Sequence, residues 1–119
     1  MQITCASSAA TDTVKALDEI YLQSGRSSLE SADFIALHVS ANHDVNALNE
    51  RFAGPRRTGL HGGTSCLGVM TNAGVVSDQG FGLGLFMIHD PEGSYGTGMA
   101  AIDSSARDAA RKAVRRALE

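Results

Sequence analysis

Cys66 and His61, five positions apart in "GLHGGTSCLGVMTNAG" (59–74), are the residue types in this chain that can do nucleophilic chemistry. A thiolate attacks and an imidazole takes its proton, but only where a cation, a histidine or a helix N-terminus lowers the thiol pKa. No third residue that would orient the base is identifiable, and a cysteine outside such a setting is a small hydrophobe. A buried or pocket-lining Cys66 is therefore the reading adopted, with an enzyme using Cys66 and His61 as the alternative.

The same stretch offers a second chemistry. Its glycines free backbone N–H groups, Thr64 and Ser65 add hydroxyls, and Gly63, Thr64, Ser65, Cys66 and Gly68 make a candidate nest for a carboxylate or similar small anion. The stretch lacks the lysine of a Walker loop and the spacing of the dinucleotide fingerprint. A plain glycine bend is the competing reading. His38, His43, His61 and His89 show no metal-ligand spacing with one another or with Cys66, so neither a metal nor a cofactor is expected. His38, inside an apolar run, reads as a core residue, whereas His43 sits at a strand end where function concentrates.

These residues must be positioned by elements of an ordinary globular chain. Its 119 residues are 43% hydrophobic and 19% charged, which suits one domain over 1–119. A formal net charge of −3 and a pI near 5.7 argue against nucleic acid as a partner. No apolar run approaches the roughly 18 to 20 residues that span a bilayer. "MQITCASSAATD" has no basic or apolar leader region, and Cys5 and Cys66 form no paired motif, so a cytoplasmic chain with reduced thiols is expected.

The element pattern begins with a strand over 2–8 and a helix capped at Thr11 or Asp12. Val14, Leu17, Ile20 and Tyr21 share its inner face, and Gly25 ends it. "SGRSSLESAD" reads as a surface connection. The run "DFIALHVS" (33–40) reads as a strand covered on both faces. A helix capped at Asn42 or Asp44 follows, with Val45, Leu48 and Phe52 inward and Gly54-Pro55 as its stop. Strand, helix, strand, helix implies a parallel first part. "GFGLGLFMIH" (80–89) and "SYGTGMAAI" (94–102), flanking "DPEG", then read as an antiparallel hairpin. The last helix is expected to bury a stripe of Ala106, Ala109, Ala110, Ala113, Val114 and Leu118, and its Arg107, Arg111 and Arg115 read as a solvated basic face. The expected fold class is α/β (mixed α+β): one mixed sheet of about five or six strands with three helices.

Gly80, Gly82 and Gly84, and again Gly96 and Gly98, alternate along their segments. Interior strand glycines each cost roughly 0.5–1 kcal/mol relative to alanine, so something must offset them. Close approach of another backbone layer is the preferred explanation, ahead of a ligand or a partner subunit.

The order of features resembles the N-terminal part of the FIST domain, a sensory module of signal-transduction proteins. "ADFIALHVSANHDVNALNERF" is similar to the family's apolar strand, polar step and helix. "GGTSCLGVM" looks like its glycine- and hydroxyl-rich turn, with Gly63, Thr64, Ser65 and Gly68 on matching positions, and "VVSDQGFGLGLFMI" resembles the following turn and strand. Val69 stands where the family commonly has an acidic residue, and the chain is shorter than a full family domain. The resemblance implies a shortened domain that senses a small ligand such as an amino acid or related carboxylate. Ser40, Asn42 and His43 would add hydrogen bonds beside the Gly63 turn. Its implied partners are a downstream signalling domain or further copies of itself, and a self-associating module is the third functional reading.

Overall fold

Asp12 and Asp44 start the two helices that build the core. In the computed structural model, which describes residues 1–53 and 59–119 with the side chains of 26–28 set aside, β1 (Gln2–Ser8) leads to α1 (Thr13–Ser24). The Asp12 carboxylate accepts the Lys15 amide at 2.8 Å, and Gly25 closes the helix at φ 78°. Ala16, Leu17 and Ile20 are buried, but Val14 is 51% exposed and does not belong to the inner face. "RSSLES" is not a bare connection. It forms α2 (Arg26–Ser31), a short polar helix anchored by buried Leu29.

β2 (Phe34–Ser40) precedes α3 (Val45–Phe52), where Asp44 caps by accepting the Asn46 amide. Leu48 and Phe52 point inward while Val45 is exposed. The Gly54-Pro55 stop lies outside the described residues. β3 (Gly59–Ser65), the hairpin β4 (Val69–Thr71) and β5 (Gly74–Val76), β6 (Leu83–His89) and α4 (Ala106–Ala117) complete the chain.

The fold is mixed α+β; among the described residues it has a four-stranded sheet in the order β1-β6-β2-β3, the separate two-stranded hairpin and four helices, in place of the expected single sheet of five or six strands with three helices. β2 and β3 are parallel, as the strand–helix rhythm implies. β6 inserts between β1 and β2, antiparallel to both, so it has no hairpin partner in 94–102. That segment contains no strand. Its glycines serve α4 instead: a Cβ on Gly96 or Gly98 would collide with the carbonyls of Ala117 or Ala113.

Among the described residues, helices cover one face of the sheet. Ala6, Ile35, Leu37, Val39, Leu83, Leu85 and Met87 pack with Leu17, Ile20, Leu48 and Phe52 into one core. The alternate residues, at period two, form an open face. The register aligns it in rows: Ile3, Ile88, Phe34 and Gly59; then Cys5, Phe86, Ala36 and His61; then Ser7, Gly84, His38 and Gly63. His38 is accordingly exposed, against the expectation of a core histidine in a doubly covered strand.

The hairpin lies across one end of this open face. A Cβ on Gly82 would strike the Val76 carbonyl and lie 2.9 Å from the Gly68 Cα, and one on Gly84 would meet Val69 at 3.2 Å. Backbone layers thus approach where these glycines stand. The Gly82→Ala variant should lose about 1–3 kcal/mol of stability in urea unfolding, as overpacked sites do. Gly63→Ala, whose Cβ would sit 3.7 Å from His38, should leave stability unchanged or slightly raised.

Candidate functional site

The hairpin and the open sheet face enclose a cleft of about 830 Å³. Its floor is Cys5, Ser7, Ala36, His38, Gly84 and Phe86. Val69, Met70, Thr71, Asn72, Ala73 and Val76 form its wall, with Ser65 and Gly68 in the corner. The hairpin turn is fixed by the Thr71 hydroxyl, which accepts the Ala73 amide at 3.2 Å and donates to the Gly74 carbonyl at 3.0 Å. The corner is fixed by Ser65, whose hydroxyl donates to the Gly68 carbonyl, and by Ser77, whose hydroxyl donates to the Leu67 carbonyl at 2.5 Å. Gly68, at φ 148° with Val76 and Ser77 pressed against it, makes the bend that carries the chain from β3 into the hairpin.

The cleft has the size of a small-molecule site and its composition: an aromatic and aliphatic bed with a few polar groups. Among the described residues, no Lys, Arg, Asp or Glu lines it. His38 is its imidazole, with the His61 ring edge-on at 6.4 Å between centroids. A ligand here would rest an apolar body on Phe86 and Ala36 and place a polar group toward His38, Ser7 or Asn72. A shallower groove of about 320 Å³ between α1 and α3 is rimmed by Glu50 and Arg51.

Of the eight residues expected to hold a ligand, Ser65 and Gly68 line the cleft. Gly63 and Thr64 lie in β3, paired with His38 and Val39. An extended strand points successive N–H groups to opposite edges, so these amides do not converge into an anion nest. The turn falls later, at 66–68. Cys66 is exposed rather than buried or lining the cleft, and among the described residues no hydrogen bond joins it to His61. Nor does any group of three or more His, Cys, Asp or Glu side chains gather there that could hold a metal. Among the described residues, no helix is long and apolar enough to cross a membrane.

Ser40, Asn42 and His43 do cluster, but they hold the loop before β6. The Ser40 Oγ accepts the Gly82 amide at 3.0 Å, and Asn42 donates to the Gly80 carbonyl at 3.4 Å. His43 is buried. Its Nδ1 shares a 3.0 Å hydrogen bond with the Thr13 hydroxyl, which also accepts the Asp44 amide, and its ring stands edge-on to Phe81 at 5.1 Å. Its Nε2 has no hydrogen-bond partner among the described residues. The cleft-lining Cys5 and Phe86 were missed by sequence reasoning; the signal that finds them is the strand register, which puts both in one row.

No protein-family model, curated protein or solved structure matches the chain.

Burial pushes the His43 pKa below 6.5, and the charge of Asp12 opposes this only in part. The sign of the pH effect follows. Above about pH 7 the imidazole is neutral in both states, whereas below about 6.5 the unfolded chain takes up the proton more readily, so stability falls. Urea unfolding should therefore give a lower free energy at pH 5.5 than at pH 7.5. The His43→Gln variant, less stable overall, should show a smaller drop between the two pH values.

Proposed function

We propose that the chain is a small-ligand-sensing module whose ligand binds in the cleft between the open sheet face and the β4–β5 hairpin. The observation that carries this reading is the cleft itself: about 830 Å³ over an apolar floor, with His38, Ser7 and Asn72 at its polar points. The FIST resemblance supplies the ligand class, amino acids and related small carboxylates. The apolar floor of Ala36 and Phe86, with no cation among the described lining residues, favours members with a substantial apolar body that is recognised by hydrogen bonds. The module is read as non-enzymatic and as working in the cytoplasm upstream of a signalling partner.

A thermal-shift screen of apolar and aromatic amino acids and small carboxylates tests the reading. A ligand at about 100 times its Kd should add about 2.7 kcal/mol of stability. The His38→Ala variant should weaken binding by about two- to tenfold, the value of one hydrogen bond. Ala36→Phe, which fills the floor, should abolish the shift, while Thr64→Val should leave it intact. The absence of a shift with every compound, or a shift that survives Ala36→Phe, sinks the proposal.

A further inference from the structure

The chain has a second uncovered apolar surface besides the sheet. Along α4, Ala106, Ala110, Val114 and Leu118 recur every four residues and form one stripe. Contrary to the buried stripe expected from the sequence, Val114 is 59% and Leu118 82% exposed, Ala106 and Ala110 are exposed too, and Ala109 is the buried residue of the helix. α4 is seated through the backbone of Ala113 and Ala117 on Gly98 and Gly96, which leaves the stripe bare. On the sheet, the hairpin covers only the Gly84 end, so Ile3, Phe34 and Ile88, the row beyond the cleft floor, remain open to solvent in whole or part.

We propose that two copies of the chain associate, the α4 stripe of each lying on the open sheet face of the other. Charge complementarity selects this occupant. Residues 106–119 carry three more basic than acidic side chains and residues 1–105 six more acidic than basic, which together give the net −3. Arg107, Arg111 and Arg115 flank the stripe, while Asp33 precedes β2 and Asp90 and Glu92 follow β6, at the end of the open face that the hairpin leaves bare. Placement agrees. The Tyr95 ring lies tilted against Phe34 at 6.0 Å between centroids, and a Cβ on Gly59 would meet Thr97 at 3.2 Å, so the segment that carries α4 already reaches that end of the sheet. An anionic bilayer would satisfy the basic stripe but leave the sheet face uncovered, whereas a second copy covers both surfaces, and a two-fold arrangement does so reciprocally. The ligand reading does not depend on this association, because the cleft lies under the hairpin.

Sedimentation velocity of the full chain over a concentration series tests it. The expected result is a dimer whose dissociation constant rises when salt is raised from about 0.1 to 1 M, where screening shortens from about 10 to 3 Å. Leu118→Glu and Ile3→Glu, both at exposed positions, should each weaken it by about tenfold or more. Mixing the two variants should restore heterodimers, since one intact helix then meets one intact sheet face. Circular dichroism establishes that both variants are folded. A monomer at millimolar concentration overturns the proposal, as does a dimer indifferent to both substitutions. A monomer that binds phosphatidylserine/phosphatidylcholine vesicles also overturns it and reassigns α4 to an anionic lipid surface. A ligand-induced thermal shift that persists in Leu118→Glu keeps this outcome separate from the function of the cleft.

Discussion

The approach of Gly82 to the β4–β5 hairpin is the contact on which the rest of the site depends. At this residue the Val76 carbonyl and the Gly68 Cα come so near that no side chain fits. Gly82 also exchanges two hydrogen bonds with Ser40: its carbonyl accepts the Ser40 amide at 2.8 Å, and its amide donates to the Ser40 hydroxyl. One residue thus joins the end of β2, the start of β6 and the hairpin. If β6 began with a bulkier residue, the hairpin would have to lift from the sheet and the cleft would lose its wall. The conformational cost of glycine here is offset by backbone contact rather than by buried side chains.

That contact matters because the sheet is one-sided. α1 and α3 bury the residues of alternate parity, and the remaining residues of β1, β6 and β2 face away from them. A β-strand cannot avoid this division, since its side chains alternate strictly. An α/β unit with helices on both faces would have filled the space where the cleft lies. In this chain the hairpin partly closes the open face, and a surface that would otherwise be a solvated sheet becomes a concavity.

Much of this was legible in the sequence where one residue dictates local geometry. Asp12 and Asp44 mark helix starts because a short polar acceptor satisfies free amides, and Gly25 ends α1 because it adopts a positive φ. β1, β2 and β6 were legible as strands. The faces of β2 were not. Phe34 and Ala36 make its outer side apolar, so the run read as doubly covered, and His38 was the single polar residue that betrayed the open face. α2 escaped because its six residues offer one apolar anchor, Leu29, and no periodicity can be read from a single point. Gly96 and Gly98 gave the period of a strand but serve close packing under a helix, and glycine spacing alone does not tell these two uses apart. The site was partly legible: the Gly63–Gly68 stretch does border the cleft, but through Ser65 and the bend at Gly68 rather than through a backbone nest.

The two glycine-mediated layers, the hairpin over β6 and α4 over residues 96–98, differ energetically from the helices over the core. α1 contributes Leu17 and Ile20 at 1% and 0% exposure, each a side chain whose burial is worth about 1.5–3 kcal/mol. The hairpin contributes Val69 as its buried residue while Met70 and Val75 are exposed, and α4 contributes Ala109. Close backbone approach supplies dispersion and shape but removes little apolar surface from water, so these layers are the ones least firmly held. The hairpin is also the layer that walls the cleft. A ligand lodged under the hairpin, or a second copy laid against α4, would add apolar contact where the monomer has least of it, so binding there would stabilise these layers most. Signal and association would then act on parts of the fold that can respond without disturbing its core.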